Sequence, residues 1–267
     1  MPFRISCRIA ADMLTAITRA VSPGMVHCEL TFVARQPINL AKAQQQHRAY
    51  EQTLEKLGAR VISLPAEPDL PDSMFVEDPA IVLDELAVIL PLGTKSRRPE
   101  AATLAQALSQ FRILKQVVAP GALEGGDVLR IGRTLFVGLS SRTNVQGIAQ
   151  LKALLEPHGY QIVSVLVNGC LHLKSAVTHL GANTLLANRE WFDSKCFGAF
   201  EWIDVAAEEP HAANALALSD TVIFPASFPR TLELIKSQDF LVAPLDISEL
   251  QKAESGLTCS SLLFEAP

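Results

Sequence analysis

Two adjacent carboxylates, Glu77 and Asp78, end the segment Asp72-Ser-Met-Phe-Val-Glu-Asp78, just before an apolar run that begins at Ala80. Acidic residues at a strand end often do no more than decorate a solvated turn. A pair of them close to Phe75 also suits a planar organic cation, because a guanidinium offers its donors in a rigid fork that two carboxylates satisfy bidentately. A second acidic segment, Leu123-Glu-Gly-Gly-Asp-Val128, takes the same place before the next apolar hairpin. Its glycines allow positive φ or close backbone approach, although alone it reads as a tight turn.

Two further residues carry side chains that move protons or attack carbon. His172 alternates with leucines in Cys170-Leu-His-Leu-Lys-Ser175, so its ring and the leucines face opposite ways; a hydrogen-bonded core histidine is the bland reading. Cys259 stands where a glycine turn enters a short apolar strand, in Gly256-Leu-Thr-Cys-Ser-Ser-Leu-Leu-Phe264, a place where most cysteines are inert packing residues. Arg97 follows Ser96 in a polar loop, and Arg142 opens Arg142-Thr-Asn144 at a helix start, where the helix dipole disfavours a cation and an anionic ligand would offset it.

The elements that must position these residues recur. Helical periodicity runs from about Ile38 to Leu57, with Leu40, His47, Tyr50, Leu54 and Leu57 near one face and Gly58 as the stop, and a strand Arg60 to Leu64 follows. The order repeats with helix Ala101 to Leu108 and strand Phe111 to Val118, then helix Asn144 to His158 and strand Tyr160 to Val167. Hairpins are expected at Ala80 to Leu83 with Leu86 to Leu90, Asp127 to Ile131 with Thr134 to Leu139, and Ser175 to Leu180 with Asn183 to Leu186. Their starts near Asp78, Asp127, Lys174 and Asp220 are spaced by roughly 45 to 49 residues, the period of a repeat array. About five strand-strand-helix-strand units fit, with the ring closed by pairing the Cys259 to Phe264 strand with a segment near Glu29 to Ala34. An ordinary mixed α/β sandwich is the competing architecture. A ring would bring the ends that carry the acidic segments, His172 and Cys259 to one cavity.

Composition narrows the class. The 267 residues are 49% apolar, enough for a substantial core in a single domain spanning 1–267. A net charge of −5 without a basic stripe argues against nucleic acid. Arg4, Arg8 and Asp12 interrupt the amino-terminal apolar residues, and no later run approaches membrane-spanning length, so a cytoplasmic protein off the membrane is expected. Five scattered cysteines, Cys7, Cys28, Cys170, Cys196 and Cys259, form no CxxC pair and fit reduced thiols. The remaining cysteines, with His27, His47, His158, His179 and His211, share no pattern and are assigned structural or surface roles.

Five motifs in order, FVED at Phe75 to Asp78, LEGGDVL at Leu123 to Leu129, GLSSRTN at Gly138 to Asn144, LHLKS at Leu171 to Ser175 and GLTCSS at Gly256 to Ser261, give the chain from about Met25 onward a resemblance to dimethylarginine dimethylaminohydrolase. That family belongs to the guanidino-group-modifying superfamily, so the resemblance implies an α/β fold: a five-bladed α/β propeller (pentein) of ββαβ units around a central active-site cavity. It implies that Cys259 is the nucleophile, His172 the general acid and base, and Glu124 the carboxylate orienting the imidazole. Glu77 and Asp78 would hold the substrate guanidinium, Arg97 and Arg142 its α-carboxylate. Asp72, Phe75 and Met25 would complete the amino-acid pocket. The aspartate that familiar members carry before the cysteine motif corresponds here to Glu254 or Ser255, and the loop Ser22 to Val26 takes the place of the lid. No metal or cofactor is implied; the partner would be a small-molecule guanidino amino acid, with a homodimer left open.

The chemistry fits these residue types. A guanidinium carbon is a poor electrophile, so a thiolate must attack while carboxylates fix the cation. Within the superfamily, an arginine deiminase, another guanidino-acid hydrolase or an amidinotransferase are the alternatives. A cysteine peptidase gives Glu77 and Asp78 no task, and a non-catalytic methylarginine-binding protein would not need Cys259.

Overall fold

The computed structural model describes residues 13–266, so Cys7, Arg4, Arg8 and Asp12 of the sequence argument lie outside it. In chain order it contains β1 (Met13–Arg19), α1 (Leu40–Lys56), β2 (Arg60–Leu64), β3 (Ala80–Val82), β4 (Leu86–Ile89), α2 (Ala101–Leu108) and β5 (Ile113–Gln116). Then follow β6 (Val128–Ile131), β7 (Thr134–Leu139), α3 (Val145–Leu155), β8 (Gln161–Leu166), α4 (Leu173–Ala176), β9 (Val177–Gly181), β10 (Thr184–Ala187) and β11 (Glu201–Asp204). The chain ends with β12 (Leu216–Leu218), β13 (Thr221–Pro225), α5 (Pro229–Lys236), β14 (Leu241–Leu245), α6 (Ser248–Gln251) and β15 (Leu262–Ala266).

These strands form five three-stranded sheets, ordered β15-β1-β2, β3-β4-β5, β6-β7-β8, β9-β10-β11 and β12-β13-β14. In each blade the middle strand runs antiparallel to the inner strand and parallel to the outer one. A parallel return needs a crossover, which α1, α2, α3 and α5 supply in four blades. The fourth blade crosses over through the 3-10 turns Arg189–Trp191 and Ser194–Phe197 and has no α-helix between β10 and β11. The five-bladed α/β propeller that the repeats and the resemblance implied is the architecture observed.

Local sequence explains the helices. Asn39 and Asn144 cap α1 and α3 by accepting the amides of Lys42 and Gly147, satisfying donors that the first turn leaves open. Gly159, at φ 79°, ends the α3 region in the left-handed conformation that glycine adopts without Cβ strain. His47, Tyr50 and Leu54 of α1 are buried as expected, while Leu40 and Leu57 are only partly so.

Buried apolar residues gather where neighbouring blades meet. Ile17, Ala80, Leu104 and Phe264 join the first and second blades, whereas Val88, Leu123, Leu135, Leu151 and Leu155 join the second and third. Further clusters join third to fourth through Phe136, Val177 and Phe197, fourth to fifth through Leu186 and Phe224, and fifth to first through Tyr50, Leu54 and Ile223. Each blade is thus buried by its neighbours, which is why the ring closes on itself.

Two expectations are corrected. The strand that closes the ring is β1, with Met13 opposite Ala266 and Ile17 opposite Leu262; Glu29 to Ala34 is irregular chain whose amides of Thr31, Phe32 and Val33 turn to the Glu254 carboxylate instead of a strand. Asp220 marks the turn between β12 and β13, so the fifth unit begins earlier, at Leu216.

Candidate active site

The inner strands β3, β6, β9, β12 and β15 surround a central channel of about 490 Å³. The segments just before them meet at one end of it: Glu77 and Asp78 before β3, Glu124 before β6, His172 before α4 and β9, Asn214 before β12, and Cys259 before β15. Hydrogen bonds run around this circle from blade to blade. The Glu77 amide donates to the Cys259 carbonyl (3.3 Å), the Gly125 amide to the Asp78 carbonyl (2.9 Å), and the Leu173 amide to Asp127 Oδ1 (2.9 Å). Repeated local geometry therefore converts distant sequence positions into one constellation.

A cavity of about 430 Å³ at this end is lined by Cys259, His172, Glu77, Lys174, Asn214, Gly126 and Glu254, among others. His172 Nε2 lies 2.7 Å from Glu124 Oε2, and Nδ1 lies 4.0 Å from Asp78 Oδ1. Burial disfavours the imidazolium, but Asp78, the hydrogen bond to Glu124 and Asp127 outweigh it and raise His172 to about 9. Burial likewise opposes the Glu124 anion, but the hydrogen bond and charge of His172, with Arg97 and Arg142, hold Glu124 at about 2. The pair is an imidazolium and a carboxylate at neutral pH. The His172 ring lies against Gly126, where a Cβ would come within 2.5 Å of Nδ1.

Half-buried Cys259 begins the last approach to β15 in the 3-10 turn Thr258–Ser260, and its Sγ accepts the Gly256 amide at 3.3 Å. Burial first, then the Glu77 and Asp78 anions, push its thiol well above the usual cysteine range. A bound cation beside those carboxylates acts in the opposite direction.

Glu77 is held by Lys174 Nζ and by Thr258 Oγ1 (2.8 Å), while burial and Asp78 raise its carboxyl. Asp78 accepts Arg97 Nη1 at 2.9 Å and the Gly126 amide at 3.2 Å. Arg97, beneath the Phe75 ring at 5.9 Å, presents Nε and Nη2 to Glu100 at 3.1 and 2.9 Å. The guanidinium expected on a substrate carboxylate thus spends one whole edge on Glu100, whose carboxyl burial raises to about 7 despite Arg97. Arg142 reaches Thr94, Thr31 Oγ1 (2.9 Å) and Glu124 Oε1 (3.5 Å).

Asp72 Oδ2 accepts the Glu29 amide at 3.1 Å, and Met25 is fully buried in the 3-10 turn Pro23–His27. The segment Thr31 to Ala34 lies against the site, with Phe32, Val33 and Ala34 lining the cavity, whereas no residue of the expected lid, Ser22 to Val26, lines it. Both Glu254 oxygens accept backbone amides of the Thr31 to Ala34 segment, at 2.8 Å from Thr31 and from Val33. Glu254 is engaged by this covering segment instead of standing open to an ammonium group.

Asp78, Glu124 and His172 have donor atoms within 4.8 Å of one another and are the residues positioned to hold a metal ion, among those described. Arg97, Arg142 and the Gly93 and Gly126 amides already engage the two carboxylates. Sequence reasoning missed Asp127, Glu100, Thr258 and Asn214 as parts of the site, and Lys174 as the partner of Glu77. Lys174 and Thr258 lay inside quoted motifs; Asn214 lay in none. Cys170 and His211, given structural or surface roles, also line the cavity, with His211 packed 4.9 Å from the Trp191 ring. Cys28, Cys170, Cys196 and Cys259 are free thiols.

A family model described as N,N dimethylarginine dimethylhydrolase, eukaryotic, matches residues 30–220. The chain is 37% identical to the N(G),N(G)-dimethylarginine dimethylaminohydrolase of Pseudomonas aeruginosa over 226 residues, 84% of this chain and 89% of that protein. It is 36% identical to the enzyme of that name from Streptomyces coelicolor, over 92% of this chain and 95% of the relative. The solved Pseudomonas aeruginosa structure of a cysteine-to-serine mutant complexed with citrulline superimposes with a TM-score of 0.90 at 33% identity, covering 95% of this chain and all of the other.

Proposed function

The chain belongs to the dimethylarginine dimethylaminohydrolase family, and on that premise we propose that it hydrolyses Nω-methylated L-arginine to L-citrulline and methylamine or dimethylamine through a covalent adduct on Cys259. The observation that carries this reading is the convergence of Cys259, Glu77 and the Glu124-bound imidazole of His172 on one cavity. The citrulline held by the related cysteine-to-serine mutant is the product that this chemistry yields.

Glu77 and Asp78 bind the substrate guanidinium, whose positive charge lowers the cost of ionising the adjacent Cys259 thiol, and the thiol proton leaves to solvent because His172 already carries one. The thiolate attacks the guanidinium carbon to give a tetrahedral adduct. His172, already protonated, gives a proton to the departing alkylamine as the C–N bond breaks, leaving an S-alkylthiouronium on Cys259. Now neutral, His172 takes a proton from water as the water oxygen bonds to the same carbon; the C–S bond then breaks as the new hydroxyl gives its proton to the departing sulfur, releasing citrulline and the Cys259 thiol. Glu124 stabilises the imidazolium and fixes the ring, with Nε2 committed to the carboxylate and Nδ1 left toward the reacting groups.

Arg97 and Arg142 take the α-carboxylate with the donors that Glu100, Asp78 and Thr31 leave over, and Asp72, Phe75, Met25 and Glu254 shape the amino-acid end. Residues 1–267 act as one catalytic domain in the cytoplasm on a free amino acid. Among the described residues no helix is long and apolar enough to cross a membrane.

The test is citrulline formation from asymmetric dimethylarginine, monomethylarginine and arginine in parallel, with Cys259→Ser as control. Product from the methylated substrates, abolished by the substitution, supports the assignment. Activity on arginine alone reassigns the chain as a deiminase, and no product from any of the three overturns the reading.

A further inference from the structure

The circle of segments at the mouth of the channel is fastened by backbone amides or Asp127 between the first and second, second and third, and third and fourth blades. At the fifth blade, which must join the fourth to the first, the fastening passes to one side chain. Asn214 Nδ2 donates to the Lys174 carbonyl at 2.9 Å and to Thr258 Oγ1 at 3.1 Å, and Asn214 Oδ1 accepts the Thr258 amide at 3.1 Å. One carboxamide therefore ties the segment carrying His172 to the turn carrying Cys259. We propose that Asn214 is a positioning residue that sets the nucleophile turn against the acid-base segment and fixes which way the Thr258 hydroxyl points.

Hydrogen-bond polarity supports this assignment. A hydroxyl has a single proton; since Thr258 Oγ1 receives one from Asn214, its own goes to Glu77 Oε2 at 2.8 Å. Glu77 then takes Lys174 Nζ on its other oxygen, and Lys174 leads back through its carbonyl to Asn214. The four residues form a closed circuit with every donor directed, and it presents Glu77 as an acceptor toward the cavity. Packing supports it too: a Cβ on Gly256, the residue whose amide bonds Cys259 Sγ, would come within 2.3 Å of Asn214 Cγ. The carboxamide is therefore pressed against the turn it holds, and Asn214 is itself buried.

Asn214→Asp keeps the shape and reverses the polarity. A carboxylate still accepts the Thr258 amide, but it meets the Lys174 carbonyl with a lone pair, draws the Thr258 proton away from Glu77 and adds an anion near Cys259, which already faces Glu77, Asp78 and Lys174. Asn214→Ala removes all three bonds and leaves a space beside Gly256. Because catalysis depends on sub-ångström placement, both variants are expected to lower kcat on methylated arginine by roughly 10- to 100-fold while KM stays within about threefold.

The inference rests on Cys259 and His172 being the reacting pair, so a second readout needs no substrate. Alkylation of the Cys259 peptide by iodoacetamide is followed against pH in the folded wild-type protein, Asn214→Asp and Asn214→Ala, with folding checked by thermal melting. Asn214→Asp is expected to shift the alkylation profile to higher pH than the other two proteins. Should Asn214→Ala not fold, the isosteric Asn214→Asp and Thr258→Val, which cuts the circuit at the hydroxyl alone, carry the comparison. Wild-type kcat in the folded variants, or an alkylation profile unmoved by Asn214→Asp, overturns the proposal. A wild-type protein that forms no citrulline overturns the activity instead, while the alkylation profiles still decide the role of Asn214.

Discussion

His172 and Glu124 make a buried ion pair, Nε2 to Oε2 at 2.7 Å, in which the imidazole is held at about 9 and the carboxylate at about 2. Asp78 stands on the other side of the ring, 4.0 Å from Nδ1. A histidine held this way carries a proton at neutral pH, the form that the proposed departure of an amine requires.

Glu124→Gln removes the charge while keeping a hydrogen-bond acceptor. Turnover is expected to fall far more than apparent affinity, by roughly 100-fold in kcat, the lower end of what a positioned acid-base group contributes. The alkaline limb of kcat/KM, expected near 9 in the parent from loss of the His172 proton in the free enzyme, is expected to move toward neutral pH. A pH-rate profile of both proteins measures this, and an unmoved limb excludes the pair as its source.

The same pair makes a signed contribution to stability. His172 has a raised folded-state value, so its contribution is complete below its unfolded value near 6.5 and is lost as pH rises through about 9. Glu124 has a depressed one, so its contribution is present above about 4.5 and is lost as pH falls toward about 2. Urea unfolding at pH 7 and 9.5 should show an alkaline loss that is smaller in Glu124→Gln, and equal losses in the two proteins would refute the coupling.

Gly126→Ala tests the close packing of the ring. The new Cβ would stand 2.5 Å from His172 Nδ1 and 2.9 Å from Asp78 Oδ1, so the imidazole must turn away from Glu124. Activity should drop by at least ~10-fold, whereas at Gly132, with nothing within 4 Å of a Cβ, the φ of +59° costs only about 1 kcal/mol of strain. Citrulline assays with melting curves compare the two.

Glu254→Ala removes the acceptor for three successive amides of the covering segment. Hydrogen exchange at Thr31, Phe32 and Val33 is expected to accelerate, since an amide left without its partner is open to solvent more of the time. Unchanged exchange at these positions would mean that the carboxylate does not fasten the segment.

Much of this was legible in the residues. The helix expected over Ala101 to Leu108 is α2 to the residue, and three hairpins fall where alternation and turn residues placed them. The motif residues Glu77, Asp78, Glu124, His172 and Cys259 also occupy corresponding ends of the blades. Ring closure was not legible, because β1 and β15 are separated by nearly the whole chain, while Thr31, Phe32 and Val33 have the β-branched and aromatic character of a strand. Their amides are taken by Glu254, at positive φ 59°, a tertiary contact with no local signature. Asn214 was hidden for a related reason: one partner is the Lys174 carbonyl of another blade, which any residue at that position would offer.

The most direct measurement of the central claim is the mass of the Cys259 peptide after acid quench during turnover of asymmetric dimethylarginine, alongside citrulline release by Cys259→Ser. The amidino adduct is expected on Cys259 in the parent protein, and neither adduct nor citrulline in the variant. Citrulline formed at the parent rate by Cys259→Ser would contradict it.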